Sequence, residues 1–147
     1  MVTSVFWVRW LLAACGGVVL FGLLLALAPD LARAGFSWMV YGEPQTIDRF
    51  GAEAARYIGL AHAVMGSLMV GWGLALAWVV KSLVRRGSRL GWNIVAVSLL
   101  AWFVPDTAYS LRAGFWQNAV LNAGFLALFV VPLWATRSLL NNSTRSE

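Results

Sequence analysis

The sequence predicts an all-α integral membrane protein, a bundle of four transmembrane helices joined by a long first external loop. Three observations predict it. Of 147 residues, 61% are apolar and 12% are charged, with a mean hydropathy of +0.74, which is more apolar surface than a water-soluble domain of this size can bury. The apolar residues gather in four runs of roughly the length a bilayer requires. The net charge of +5 is spread between and beside those runs and forms no patch with base-stacking aromatics, so nucleic acid is excluded as a partner.

The first run is Val5 to Ala28. Its stretch from Trp10 to Ala28 follows Arg9 and precedes Leu31-Ala32-Arg33-Ala34-Gly35, which mimics a small-x-small signal-peptidase site. The apolar run exceeds a usual signal core, so an uncleaved span is expected. The connection that follows, Asp30 to Arg56, is the long external loop. Phe36, Trp38, Met39 and Tyr41 in its first half suit the headgroup region. From Thr46, after Pro44, the chemistry favours a helix start, with Glu53 four residues beyond Arg49, and a helix running on into the second span is expected. That span covers Tyr57 to Val80. The third, Leu90 to Val104, offers only 15 residues before Pro105; it must continue past the proline or stop short, and the polar stretch Asp106 to Arg112 marks its outer end. The fourth runs from Trp116 to Ala135. In numbers the spans are about 5–28, 57–80, 90–105 and 116–136, within a single domain.

Short cytoplasmic connections retain Lys and Arg. The segment between the second and third spans carries Lys81, Arg85, Arg86 and Arg89 and no acid, so it is expected on the cytoplasmic side. Both termini then lie there too, with Arg9, Arg137 and Arg145. Seven basic residues and one acid, Glu147, fall inside, against four basic residues and five acids outside. Tryptophan agrees, because its amphipathic ring prefers the interface: Trp7, Trp10, Trp78, Trp92 and Trp134 fall at cytoplasmic ends, and Trp38, Trp102 and Trp116 toward the other face.

Lipid tails are as apolar as leucine, so spans associate through close packing and polar contacts. In the second span Gly59, Ala63, Gly66, Val70, Gly73 and Ala77 alternate in steps of four and three, a stripe of small residues suited to a helix-packing seam. Gly16, Gly17 and Gly22 give the first span a weaker version. Spacing alone fits packing within one chain or between copies.

Polar groups inside a membrane are costly and therefore candidate functional groups. His62, Asp106, Tyr109, Asn118 and Asn122 collect near the outer ends of three spans. Converging, they would form a polar pocket for a lipid headgroup, a quinone-like ring or a partner helix, with His62 and Asp106 able to relay a proton; alternatively they hydrogen-bond neighbouring helices and hold the bundle in register. No cofactor and no metal is expected. A single histidine cannot supply two haem ligands, and the single cysteine, Cys15, allows no internal disulfide and no thiolate cluster. No nucleophile elbow, phosphate-cradling loop or zinc motif is present, and no carboxylate falls mid-span, where a coupled transporter would need one. The basic segment Lys81 to Arg89 can attract anionic lipid heads at about 1 kcal/mol per charge, although topology alone accounts for it.

In span number, in the long first external connection and in the entry to the second span, Arg56-Tyr57-Ile58-Gly59-Leu60-Ala61, the chain resembles the DoxX-like group of small bacterial four-span membrane proteins. The resemblance implies a bacterial inner membrane and allows a role near quinone in an oxidoreductase complex; it carries no catalytic motif. The leading expectation is a non-catalytic accessory or structural subunit whose partners are membrane lipids and either itself or other membrane subunits. A lipid- or quinone-binding subunit and a small transporter are the alternatives.

Overall fold

The computed structural model describes residues 2–140, apart from the side chains of residues 2–4, 138 and 139. Helix accounts for 90% of it, and no strand occurs among the described residues. The helices are α1 (Val2–Leu27), α2 (Pro29–Tyr41), α3 (Ala52–Ser82), α4 (Arg89–Arg112), α5 (Trp116–Ala135) and α6 (Arg137–Leu140), with 3-10 turns at Ile47–Phe50 and Val84–Arg86. Four of them, α1, α3, α4 and α5, are long and apolar enough to cross a membrane. At 1.5 Å per residue they extend about 39, 46, 36 and 30 Å, against a hydrocarbon core of about 30 Å.

Their surfaces are the reverse of a soluble protein's. In the most apolar stretch of each long helix at most 28% of residues are buried, and Leu20, Leu27, Leu68, Val97 and Val120 stand exposed. What is buried lies on one narrow stripe per helix. On α1 the stripe is Val8, Leu11, Cys15, Val18, Gly22 and Leu25, alternating steps of three and four, the repeat that keeps one seam facing a partner helix. On α3 it is Gly59, His62, Gly66, Gly73, Leu76 and Val80; Ala63, Val70 and Ala77 are half-buried at its flanks.

The described chain packs as two compact units. The first comprises residues 17–73, and its tightest contact joins α1 to α3. A Cβ on Gly66 would collide with the carbonyl oxygen of Gly22 and stand 2.6 Å from the Ala26 nitrogen; a Cβ on Gly22 would stand 2.6 Å from the Gly66 oxygen. Only glycine at both positions allows the two backbones to touch, and such closeness multiplies dispersion contacts where the solvent is itself apolar.

The same unit corrects the expected long loop. Ala28, with φ −131° and ψ 58°, ends α1, and Pro29 at the first helical position starts α2. Gly42, with φ 79°, closes α2 in the left-handed conformation, its N–H donating to the Trp38 carbonyl over 2.8 Å. The chain then folds back on α2, where the Ser37 hydroxyl donates to the Glu43 carbonyl (2.6 Å) and accepts from the Ile47 N–H (3.3 Å). The helix expected from Thr46 is not formed. A 3-10 turn takes its place, Gly51 interrupts the backbone, and α3 begins at Ala52. Arg49 accordingly pairs with Glu43 at 2.8 Å, while Glu53 sits 3.6 Å from Arg56.

The second unit comprises residues 1–16 and 74–147. Here α4 continues through Pro105 to Arg112, and beyond the proline Asp106, Thr107 and Ser110 find partners on α5. At its start the Ser88 hydroxyl caps α4 by accepting from the Gly91 N–H. In α5, Pro132 supplies no N–H to the carbonyl of Leu128 four residues earlier. The Trp10 indole supplies one instead, at 3.1 Å. Trp92 likewise donates to the Leu133 carbonyl at 2.9 Å, and the Arg137 guanidinium lies 4.3 Å from the Trp134 ring centre and 5.5 Å from that of Trp92.

Gly66→Leu is expected to destabilise the protein in detergent by about 2 kcal/mol or more, as overpacking against backbone that cannot give way. In the monomer, Gly71→Leu should be neutral or slightly stabilising, since nothing lies within 4 Å of its Cβ position and helix propensity rises by up to about 1 kcal/mol. Thermal unfolding followed by size exclusion checks the contrast.

Candidate functional site

Two polar groupings lie within the long helices, one in each compact unit. In the second unit, Asp106 and Ser110 stand one turn apart on α4, and Asn118 and Asn122 one turn apart on α5. Asn118 Nδ2 donates to Asp106 Oδ1 at 3.1 Å and to Ser110 Oγ at 2.8 Å. Ser110 Oγ lies 2.8 Å from the Asp106 carbonyl oxygen and 3.3 Å from Oδ1, so its single hydrogen serves either acceptor. One turn further, buried Asn122 donates from Nδ2 to Thr107 Oγ1 at 3.3 Å. This is a ladder of side-chain hydrogen bonds tying α4 to α5. Among the described residues Asp106 forms no ion pair; its carboxylate is held by neutral donors alone. Tyr109 is exposed, with the Arg112 guanidinium 5.9 Å from its ring centre, and the hydrogen bonds of the ladder do not include it.

In the first unit, His62 is buried, 7% exposed, and its ring stacks on Phe36 of α2 at 5.1 Å and 27°. Its Nδ1 is buried and no well-aligned hydrogen-bond partner faces it among the described residues; the backbone of Ile58, one turn earlier on α3, is the polar group that bears on the ring. The nearby charge is Arg33 on α2, which is engaged by three acceptors. Its Nη1 meets Asp30 Oδ1 at 2.9 Å, its Nε meets Asp48 Oδ1 at 2.8 Å, and Nη1 also reaches the Ala55 carbonyl at 3.5 Å. One guanidinium thus ties α2, the 3-10 turn and α3 together. Gly59 lies beneath it: a Cβ there would be 3.8 Å from Arg33 Nη1.

The structure therefore gathers Asp106, Asn118 and Asn122 with Ser110 and Thr107, and gives His62 the company of Phe36 and Arg33. Ser110 is visible in the sequence one turn after Asp106, and Thr107 directly beside it, yet their role depends on which face of α5 meets α4. Of the small-residue seam, Gly59, Gly66 and Gly73 are buried, and Ala63 and Ala77 half-buried. The span serines return their hydroxyls to their own helices, Ser67 to the Ala63 carbonyl (3.0 Å) and Ser98 to that of Val95 (3.0 Å). Lys81, Arg85, Arg86 and Arg89 are all exposed, and none forms an ion pair among the described residues. Arg145 and Glu147 lie outside the described residues. Among these, no group of three or more His, Cys, Asp or Glu side chains is placed to hold a metal ion.

Compared with known proteins, the chain matches no family model, no curated protein and no solved structure.

The ladder makes Asn118 the shared donor of two acceptors. Asn118→Ala is expected to cost about 1–2 kcal/mol, from two interhelical hydrogen bonds whose value in membranes is modest. Asn118→Asp should cost more, because it sets a second carboxylate against Asp106. Unfolding of the purified protein by a denaturing detergent measures both.

Proposed function

We propose that this protein is a non-catalytic membrane subunit, an accessory or structural component that packs against a second copy of itself or a larger membrane complex. It would span the membrane four times with both termini and the Lys81–Arg89 segment in the cytoplasm. The bare charges of that segment support the orientation, since a helix N-terminus disfavours a cation such as Arg89, and helix stability gives no reason for it to be there.

One observation carries the packing role. Besides its buried stripe, α3 bears a second row of small residues at four-residue spacing, Ala63, Ser67, Gly71 and Ala75. Ser67, Gly71 and Ala75 are exposed, and a side chain at Gly71 would meet nothing. Rows of this spacing let another helix approach closely in a bilayer. The polar ladder supports the same reading, for its donors are turned on neighbouring acceptors within the protein.

Substituting Gly71→Leu together with Ser67→Leu should abolish association, read by cross-linking in native membranes and by mass in detergent, while the monomer's unfolding temperature is unchanged. Unaltered association in both settings contradicts the proposal.

A second reading, a subunit that retains a lipid headgroup or quinone-like ring, is favoured by the unpartnered Nδ1 of His62. A buried polar atom of this kind calls for a water or a ligand group. On that reading, His62→Ala removes a co-purifying small molecule detectable by mass spectrometry, with the fold intact; identical ligand content removes the reading. A small transporter would instead show solute flux in proteoliposomes.

A further inference from the structure

Helix α2 has its polarity inside out. At 100° per residue, Leu31, Trp38 and Tyr41 fall within about 80° of arc, and they are 63%, 64% and 44% exposed. Ala32, Arg33 and Ser37 lie outside that arc and turn inward: Ser37 is fully buried and the Arg33 side chain is only 18% exposed. A helix on a water-soluble surface does the reverse. Phe50, from the turn that folds back beside α2, extends the apolar face by meeting Tyr41 edge-on at 6.0 Å.

We propose that this face of α2 is seated in the bilayer at the boundary between headgroups and acyl chains, so that α2 lies along the membrane surface and binds lipid. The proposal rests on the membrane-spanning reading above. Three features of the same unit commit the face to lipid. It is continuous in sequence with the exposed apolar surfaces of the adjoining long helices, Leu27 before it and Tyr57 and Leu60 after it. Both ends of α2 carry exposed charged groups, Asp30 at the start and Glu43 just past the end, with Arg49 paired to Glu43. Those charges keep both ends at the level of water, which fits a helix lying flat and not one that plunges inward. Finally, Trp38 and Tyr41 are the amphipathic aromatics that such a boundary favours. Arg33 and Ser37 then have a mechanical task. By fixing the inner face to the 3-10 turn and to α3, they hold the apolar face outward at a set depth.

The test is the depth of nitroxide labels in vesicles of phosphatidylcholine and phosphatidylglycerol. Cysteines are introduced singly at Leu31, Trp38, Gln45 and Leu68, in the otherwise unaltered chain, whose own Cys15 is fully buried. The ratio of accessibility to oxygen over a water-soluble nickel chelate is read at each. Labels at 31 and 38 are expected to give ratios several-fold above the one at 45 and approaching that at 68. Ratios at 31 and 38 equal to that at 45 would place the face in water and overturn the proposal. Low accessibility to both reagents would also overturn it, by showing that protein covers the face. A high ratio at 68 in either case leaves the spanning reading standing, and a low one there removes that reading. Should Trp38→Cys fail to fold, Tyr41→Cys lies on the same arc, 44% exposed, and decides the matter in its place.

Discussion

Everything in this molecule answers to one constraint: hydrocarbon offers no hydrogen bonds, so each polar group within a span must be satisfied by the protein. Helix formation deals with most of the backbone. The exceptions are dealt with by named side chains. Pro132 orphans the Leu128 carbonyl and Trp10 answers it; Ser67 and Ser98 bond to carbonyls of their own helices; Asp106, Ser110 and Asn118 satisfy one another. Among the described residues His62 Nδ1 is a buried atom that meets no hydrogen-bond partner, which is why it carries the ligand-binding alternative.

The second requirement follows from the first. Since burying leucine gains little when the surroundings are already apolar, helices gain most where their backbones come closest. Gly22 and Gly66 supply that contact between α1 and α3, and the remaining surfaces are left to lipid or to partners. Of the two rows of small residues on α3, one meets α1 at Gly66, and Ser67, Gly71 and Ala75 of the other are exposed.

The four long helices were legible because hydropathy and length are local properties. On α3 the buried line runs through Gly59, His62, Gly66, Gly73, Leu76 and Val80, with Ala63 and Ala77 at the flanks, and small-residue spacing alone does not pick out His62, Leu76 and Val80. The connection after α1 was less legible. Its 31–41 stretch reads as apolar-interfacial from composition, but its helicity depends on Pro29 and Gly42 acting as start and stop, and the 3-10 turn depends on Ser37 and Arg33, whose partners lie in other elements. The same holds for Pro105. In isolation it looks like an end, yet α4 continues, and beyond it Asp106, Thr107 and Ser110 find their partners on α5. The partners of Trp10 and Trp92 were not legible either, because both indoles donate to carbonyls of α5, whose facing residues composition does not reveal.

The claim on which all this depends is that α3 crosses a bilayer, and a membrane-impermeant thiol reagent applied to cells bearing Gln45→Cys or Arg85→Cys tests it most directly. The account predicts that position 45 is modified in intact cells and position 85 only after permeabilisation. Equal modification of both in intact cells would place the two ends of α3 on one side and contradict it.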